Sequence, residues 1–321
     1  AALARLLAAP PPRLDTARRA QAAFDFPRYA ARVLDEALPA LARISVVVPN
    51  YNHARHLGAR LGSVFGQSHP VAEVLLLDDA SGDDSLAVAR AEASAWGREL
   101  TVVANRRNSG SVFAQWRRGV ERATGEWVWI AESDDEADPA LLATLAARLG
   151  AGEDVVAVAC DSDAVDGTGA VLWESHQPYF AAAGVTALAR DGLFAARDFA
   201  ARFLGERNLL VNASAILFRR SALRAALARC APALAEYRMA GDWHLYLDLL
   251  GRSEGQVAWV AAPLNRHRRH GAGVTARMDP ARHLDEIARA QAHARAVLGG
   301  DVDEARQLAY LAEMSVTLGV P

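Results

Sequence analysis

The spacing of apolar residues changes character near residue 43. Residues 13–42 are rich in alanine and arginine and read as helix, with Phe24, Phe26 and Tyr29 as apolar anchors. Ile44–Val48 is then dominated by β-branched residues, the pattern of a strand buried on both faces of a parallel sheet. Leu57, Leu61, Val64 and Phe65 follow at helical spacing. The alternation continues through strands at 73–79, 100–105 and 126–135, separated by helices at 84–96 and 113–124. Strands and helices of these lengths imply right-handed crossovers and an α/β fold: an open, mostly parallel sheet flanked by helices, with a Rossmann-like first half. Ligands of such sheets sit beyond the carboxyl ends of the strands. Those ends carry "PNYN", "DDASGDD", "NRRNSGS" and "ESDD".

Past residue 150 the pattern is less regular. Residues 154–175 read as two strands joined through a turn at Asp166–Gly169, and "VNASAILFRRSALRAAL" as a strand entering a helix capped by Ser221. "GDWHLYLDLLGR" reads as a helix, and "GQVAWVAAPLNRHRRHGAGVT" as a strand followed by a basic loop. Two C-terminal helices break at Gly299–Gly300, the first opened by Asp279 as cap and by Pro280. Leu284, Ile287, Val297 and Leu298 would pack that segment on the main domain or on a partner. The expected organisation is a helical lead-in at 1–42, read as the tail of a preceding domain, a domain at 43–276 in halves 43–150 and 151–276, and a helical segment at 277–321.

Composition narrows the chemistry. The 321 residues are 52% hydrophobic and 23% charged, enough for a sizeable core, and the net charge of −3 provides no basic field for nucleic acid. All 35 basic side chains are arginine, which excludes Schiff-base chemistry and a phosphate-loop lysine. Cys160 and Cys230 lack metal-site spacing and read as reduced, packed thiols. No apolar run approaches the roughly 18 residues of a spanning helix, and no secretory signal is evident, so a cytoplasmic protein is expected, with peripheral contact at the inner face of the membrane as an option.

Carboxylates gather at the predicted strand ends. Asp78 and Asp79 close a buried strand, where a carboxylate can accept from the N–H edge of a base or from a ribose. Glu132, Asp134 and Asp135 crowd three negative charges together, a repulsion that a divalent cation bridging to substrate phosphates would relieve. Each motif also has a plain reading: helix caps and solvated carboxylates at 78–84, an acidic loop at 132–138, and a cap at Asp242. Arg266, His267, Arg268, Arg269 and His270 form a basic cluster, which is either a solvated loop or a cover over a diphosphate. Trp173, Tyr179 and Phe180 are candidates for an acceptor rim or for ordinary packing, with packing favoured.

Taken together, Ser45–Asn52, "LDDASGDDS" (77–85), residues 108–135, "NASAILFRR" (212–220), "GDW" (241–243) and "RRHGAGVT" (268–275) resemble the family 2 glycosyltransferases of the GT-A fold, in the family's order. The resemblance covers about residues 43–276 and is closest to bacterial surface-polysaccharide enzymes. It implies a base pocket lined by Pro49 and Tyr51, with Asp79 on the base, typically uracil. It implies Asp134 at the ribose or diphosphate and Asp135 on a manganese or magnesium ion, their division of labour left open. His270 would serve as metal or phosphate ligand, Arg268 would offset leaving-group charge, and Asp242 would be the general base of an inverting transfer. The implied partners are a nucleotide-diphosphate sugar, uridine more than thymidine diphosphate, and a saccharide or lipid-linked saccharide acceptor. Two positions depart from the family: Arg117 stands where asparagine is usual, and Glu132 where aspartate is usual. The alternatives are a degenerate nucleotide- or polysaccharide-binding module, and a sugar-phosphate nucleotidyltransferase, which the missing lysine disfavours.

Overall fold

The computed structural model describes residues 42–150, 154–269 and 278–320. The lead-in at 1–41 and His270 therefore lie outside the described residues. The first half alternates as its pattern implies: β1 (Ile44–Asn50), α1 (Ala54–Phe65), β2 (Glu73–Asp78), α2 (Ser85–Trp96), β3 (Thr101–Ala104), α3 (Val112–Arg122) and β4 (Trp127–Ile130). These four strands are mutually parallel in the order β3-β2-β1-β4. Along β1, Ile44, Val46 and Val48 face the core beneath α1, whereas Val47 faces the core beneath α3. Alternate side chains of a strand point to opposite faces, so a run with no apolar gap is what two covered faces require.

The second half is mixed. After β5 (Glu136–Ala137) and α4 (Leu141–Ala146) come β6 (Val155–Val165), β7 (Val171–Trp173), α5 (Gln177–Ala182), β8 (Gly192–Ala195), α6 (Ala196–Leu204) and β9 (Ile216–Arg219). Then follow α7 (Arg220–Leu234), α8 (Gly241–Gly251), β10 (Gln256–Arg268), α9 (Pro280–Leu298) and α10 (Glu304–Leu318). The sheet continues β4-β9-β6-β10-β5, with β9 antiparallel to both its neighbours and β10 parallel to β6. The parallel character belongs chiefly to the first half.

Two boundaries differ from the sequence reading. β10 runs on through Arg268, so Arg266, His267 and Arg268 lie on a strand paired with Asp163, Ala164 and Val165, not in a loop. Ser221 does not cap α7, which starts one residue earlier with Arg219 at its N-cap. The C-terminal helix α9 packs its Ile287, Ala290, Ala294, Val297 and Leu298 into the same core as α8. Asp279 does cap α9, accepting from the Arg282 N–H at 2.9 Å. Cys160 and Cys230 are free and buried.

Packing is close where α3 crosses β1. A Cβ on Gly119 would lie 2.4 Å from Val47 Cγ1, a separation that real Cβ atoms do not reach. Gly119→Ala is expected to lose about 1–3 kcal/mol of stability in chemical denaturation. The helix-propensity gain of roughly 1 kcal/mol that alanine otherwise brings would be outweighed.

Candidate active site

The rim begins with the turn after β1. Asn50 sits beside Asp78 across the β1–β2 ladder, and its Nδ2 donates to the Asp78 carboxylate at 2.9 Å. Asp78 also accepts from the Ser81 hydroxyl at 2.6 Å and the Ser81 N–H at 3.1 Å. Asn52 Oδ1 accepts from the Gly82 N–H at 2.7 Å. The two turns thus brace each other, and each holds a non-glycine residue in the left-handed region, Asn52 at φ 57° and Ala80 at φ 62°. Such local strain persists where the surroundings over-determine the backbone. Pro49 lies in β1, and the Tyr51 ring projects outward, 47% exposed.

Asp79 is 4% exposed and saturated by protein donors. It accepts from Asn105 Nδ2, from Gln115 Nε2 at 2.9 Å, and from the N–H and hydroxyl of Ser109 at 2.9 and 2.7 Å. The carboxylate expected to meet a base thus anchors residues 105–115. Along α3, Gln115 reaches Asp79 while its neighbour Trp116 donates to Glu132 Oε1 at 2.8 Å, joining the two acidic turns through one helix.

Residues 131–135 form a strap. Between β4 and β5 the chain must cross the rim of β9, β6 and β10, because β5 pairs on the far side of β10. Asp135 fastens the strap: Oδ2 accepts from Asn212 Nδ2 at 2.8 Å and the Ser214 hydroxyl at 2.7 Å, and Oδ1 from the Arg268 N–H at 2.9 Å. The fully buried Arg60 of α1 lies 3.8 Å from Asp135, donates to the Glu132 carbonyl at 2.8 Å and stacks over Trp129. The Arg268 side chain is likewise occupied, by the Asp134 carbonyl at 2.9 Å, the Asp166 carbonyl at 3.0 Å and the Glu136 carboxylate. Asp135 and Arg268, expected to meet metal and diphosphate, are thus hydrogen-bonded by the protein, because the crossing needs buried donors and acceptors of its own, and both also line the cavity at Asp134.

Asp134 lines two cavities that meet at Asp242. The smaller, about 210 Å³, is bounded by Trp116, Glu132, Asp134, Asn212, Arg238, His267 and Asp242. The larger, about 970 Å³, shares Asp134, His267 and Asp242 and extends to Trp173, Tyr179 and Tyr310. Burial pushes the Glu132 carboxyl up to about 8, helped by Asp134 and Asp135. Burial likewise pushes Asp242 up to about 7. The Asp242 carboxylate has few partners, the Trp243 N–H at 2.7 Å and Asn208 Nδ2 at 3.4 Å, so it is poised to accept a proton.

Two residues that support the site escaped the sequence reading. Arg60 looks like one more surface arginine of an amphipathic helix. Glu286 of α9 is fully buried, and its carboxylate accepts the N–H groups of Arg238, Met239 and Ala240 at 2.8–3.1 Å, fixing the entry to the helix that bears Asp242. A carboxylate is favoured at a helix N-terminus, but this one arrives from about 45 positions downstream, and no local pattern announces it. Arg117 is a surface residue, half exposed and 3.6 Å from Glu121.

Among the described residues no three His, Cys, Asp or Glu side chains converge as a metal cage. Asp134, Asp135 and His267, whose Nδ1 is buried without a hydrogen-bond partner, are among the potential metal ligands lining the smaller cavity. A sparse set of this kind suits a hard divalent ion that takes its remaining ligands from phosphate oxygens and water. Among the described residues no helix is long and apolar enough to cross a membrane.

Comparison with known proteins follows the geometry. The model for "Glycosyl transferase family 2" matches residues 45–224. An uncharacterized glycosyltransferase of Nostoc sp. is 31% identical over 126 residues, 39% of this chain and 38% of that protein. The Bacillus subtilis protein described as a putative teichuronic acid biosynthesis glycosyltransferase, TuaG, is 32% identical over 93 residues, 29% of this chain and 36% of that protein. The chain thus spans well under half the length of these relatives. Among solved structures, Staphylococcus aureus TarS 1–349 in complex with UDP-GlcNAc superposes with a TM-score of 0.60 at 18% identity, over 86% of this chain and 73% of that one. The mannosyltransferase PcManGT of Pyrobaculum calidifontis, in complex with GDP-Man and Mn2+, gives 0.52 at 18% identity, over 87% and 75%. The fold is the GT-A fold. Removing a buried charge's partner leaves the other uncompensated, so Asp135→Ala should cost about 3–5 kcal/mol in denaturant unfolding without any ligand. Asp134→Asn should cost far less.

Proposed function

The chain belongs to glycosyl transferase family 2, and from that premise we propose that it moves a sugar from a nucleotide-diphosphate donor to a saccharide hydroxyl, with inversion, in bacterial surface-polysaccharide synthesis. One observation carries the reading: Asp242, with its proton affinity raised to about 7, stands where an acidic cavity meets a larger, aromatic one. A uridine diphosphate donor is favoured by TarS, whose structures hold UDP and UDP-GlcNAc; teichuronic acid synthesis in the TuaG description favours a polysaccharide product.

In this mechanism the Tyr51 ring stacks on the base, with Pro49 shaping the turn beneath it and Asp79 setting the 105–115 segment beside it. Asp134, with His267, would hold a manganese or magnesium ion; Asp135 orients Asp134 through the strap. When bound, the ion neutralises charge on the departing diphosphate. Asp242 takes the proton of the acceptor hydroxyl as that oxygen bonds to the anomeric carbon and the bond from that carbon to the diphosphate breaks. With one base and no protein nucleophile, the displacement is single and in line, so an α-linked donor gives a β-linked product. Arg238, whose guanidinium donates to the Gly110 carbonyl at 2.8 Å, ties the Asp242 side to the nucleotide side.

The pH behaviour follows from a raised carboxyl. Below about 7 the base is protonated, so the transfer rate should fall about tenfold per pH unit there. The folded state keeps this proton up to about 7, whereas the unfolded chain releases it near 3.8, so folding is progressively disfavoured between those values. Asp242→Asn is expected to reduce transfer at least 1,000-fold, by analogy with other general bases on the order of 10²–10⁴. UDP binding should survive, and the variant should gain stability over the parent as pH rises from 5 to 8; unchanged turnover refutes the assignment. Excess chelator should abolish transfer, and manganese or magnesium should restore it; full activity in chelator removes the ion from the mechanism.

A further inference from the structure

Tyr246 lies on α8, four residues beyond Asp242, and is 1% exposed. Its ring stacks on Phe218 of β9 with centroids 5.9 Å apart. Its hydroxyl is buried and, among the described residues, has no hydrogen-bond partner. A phenol buried in this way forfeits the bonds it makes to water, a cost that phenylalanine in the same place would not carry. Residues four apart share one face of a helix, and helical side chains lean toward the N-terminus. The Tyr246 hydroxyl is therefore carried along α8 toward Asp242, which stands one turn earlier where the two cavities meet.

Two carboxylates act on this phenol, Asp242 on its own helix and Glu132 on the strap. Burial first, and then these two charges, raise its proton affinity well above the ordinary value, so it stays an O–H donor through the neutral range. Glu132 already accepts from the Trp116 indole at 2.8 Å. Asp242 is held more loosely: Oδ1 accepts from the adjacent Trp243 N–H, and Oδ2 only from Asn208 at 3.4 Å. An ionised carboxylate has about four lone-pair sites, so Asp242 has room for another donor. Glu286 of α9 adds a repelling charge to it, and Asp134, His267 and Arg238 line the same smaller cavity.

We infer that Tyr246 is a positioning residue: its hydroxyl donates to the Asp242 carboxylate from the core side when that carboxylate is ionised, and keeps it turned toward the hydroxyl it deprotonates. The inference rests on the reading of Asp242 as the base and adds to it the group that holds the charged form. With Asp242 protonated, the phenol stays unpaired. With Asp242 charged, a turn of that side chain satisfies both groups. A donor to the charged form favours that form, so Tyr246 opposes the burial that holds the proton on Asp242.

The first test needs no ligand. Tyr246→Phe keeps the ring and removes the hydroxyl. The parent, Tyr246→Phe, Asp242→Asn and the double variant are unfolded in denaturant at about pH 5 and about pH 9. At the lower pH Tyr246→Phe should be at least as stable as the parent, because the phenol is idle. At the higher pH its unfolding equilibrium constant should exceed the parent's about tenfold. Losing the donor raises the folded-state proton affinity of Asp242 while the unfolded value stays near 3.8, so rising pH disfavours folding over a window about one unit longer. In the Asp242→Asn background the pH-dependent difference should vanish. In transfer from a UDP-sugar with manganese to p-nitrophenyl hexosides, the acid limb of kcat should move up by about one pH unit. Donor KM and UDP-induced thermal stabilisation should stay as in the parent. An equal stability gap at both pH values, as packing alone would give, or an unmoved acid limb overturns the inference. So does a pH-dependent gap that persists without Asp242, which would mean that the phenol acts through Glu132. Failure of the base reading would show separately, as an Asp242→Asn protein that turns over like the parent.

Discussion

A buried carboxylate fastens the centre of this molecule. The polypeptide leaves β4 and must reach the far side of β10, and Asp135 sits at the end of that crossing, just before β5. It receives donors from Asn212, Ser214 and the backbone of Arg268, with the Arg60 guanidinium behind it. A charge taken out of water is tolerable only when hydrogen-bonded and opposed by another charge. Here those partners come from α1, the segment entering β9, and the end of β10, so satisfying one carboxylate brings three distant stretches to one place. Asp134 is positioned as a consequence, since its carbonyl is held by Arg268 and its neighbour is locked.

The C-terminal helices are part of this arrangement. The stretch matched by the family model ends at 224, before Asp242, before Glu286 and before Tyr310. Glu286 collects three successive backbone N–H groups ahead of α8 and thereby fixes where Asp242 stands. α9 is kept against α8 by close apolar packing, to the point that a Cβ on Gly251 would lie 2.6 Å from Val297. Asp242 and the wall of the larger cavity therefore depend on helices beyond the stretch matched by the family model.

Electrostatics and stability pull in opposite directions here. Glu132 and Asp242 both hold their protons well above the usual carboxylate range because burial disfavours the charged form, and for Glu132 the neighbouring acids add to it. Functional sites commonly carry such groups. The strap's own charge, by contrast, is fully answered by protein donors. The same four-residue turn thus contains Asp135, bound by donors from three distant segments, beside Glu132, whose proton affinity is raised.

Much of this was legible in the chain. Period-two and period-3.6 apolar spacing placed the first three strands and three helices to within a few residues and the start of the fourth strand, which ends at Ile130 and not at 135, and strand polarity put the acidic turns on one rim, because alternating strands and helices of that length leave few other topologies. The order of six short motifs identified the family. Sequence did not reveal that Asp135 and Arg268 are bound by protein partners where they line the cavity, nor that Asp79 is saturated by Asn105, Ser109 and Gln115. It gave no sign that β10 carries three of the basic residues, or that Arg60 and Glu286 are buried supports. Local pattern determines which segments are strands and which face is apolar, since those depend on neighbours a few positions away. Which of several adjacent carboxylates meets a ligand depends on donors tens to hundreds of positions distant, and only the folded chain brings those together.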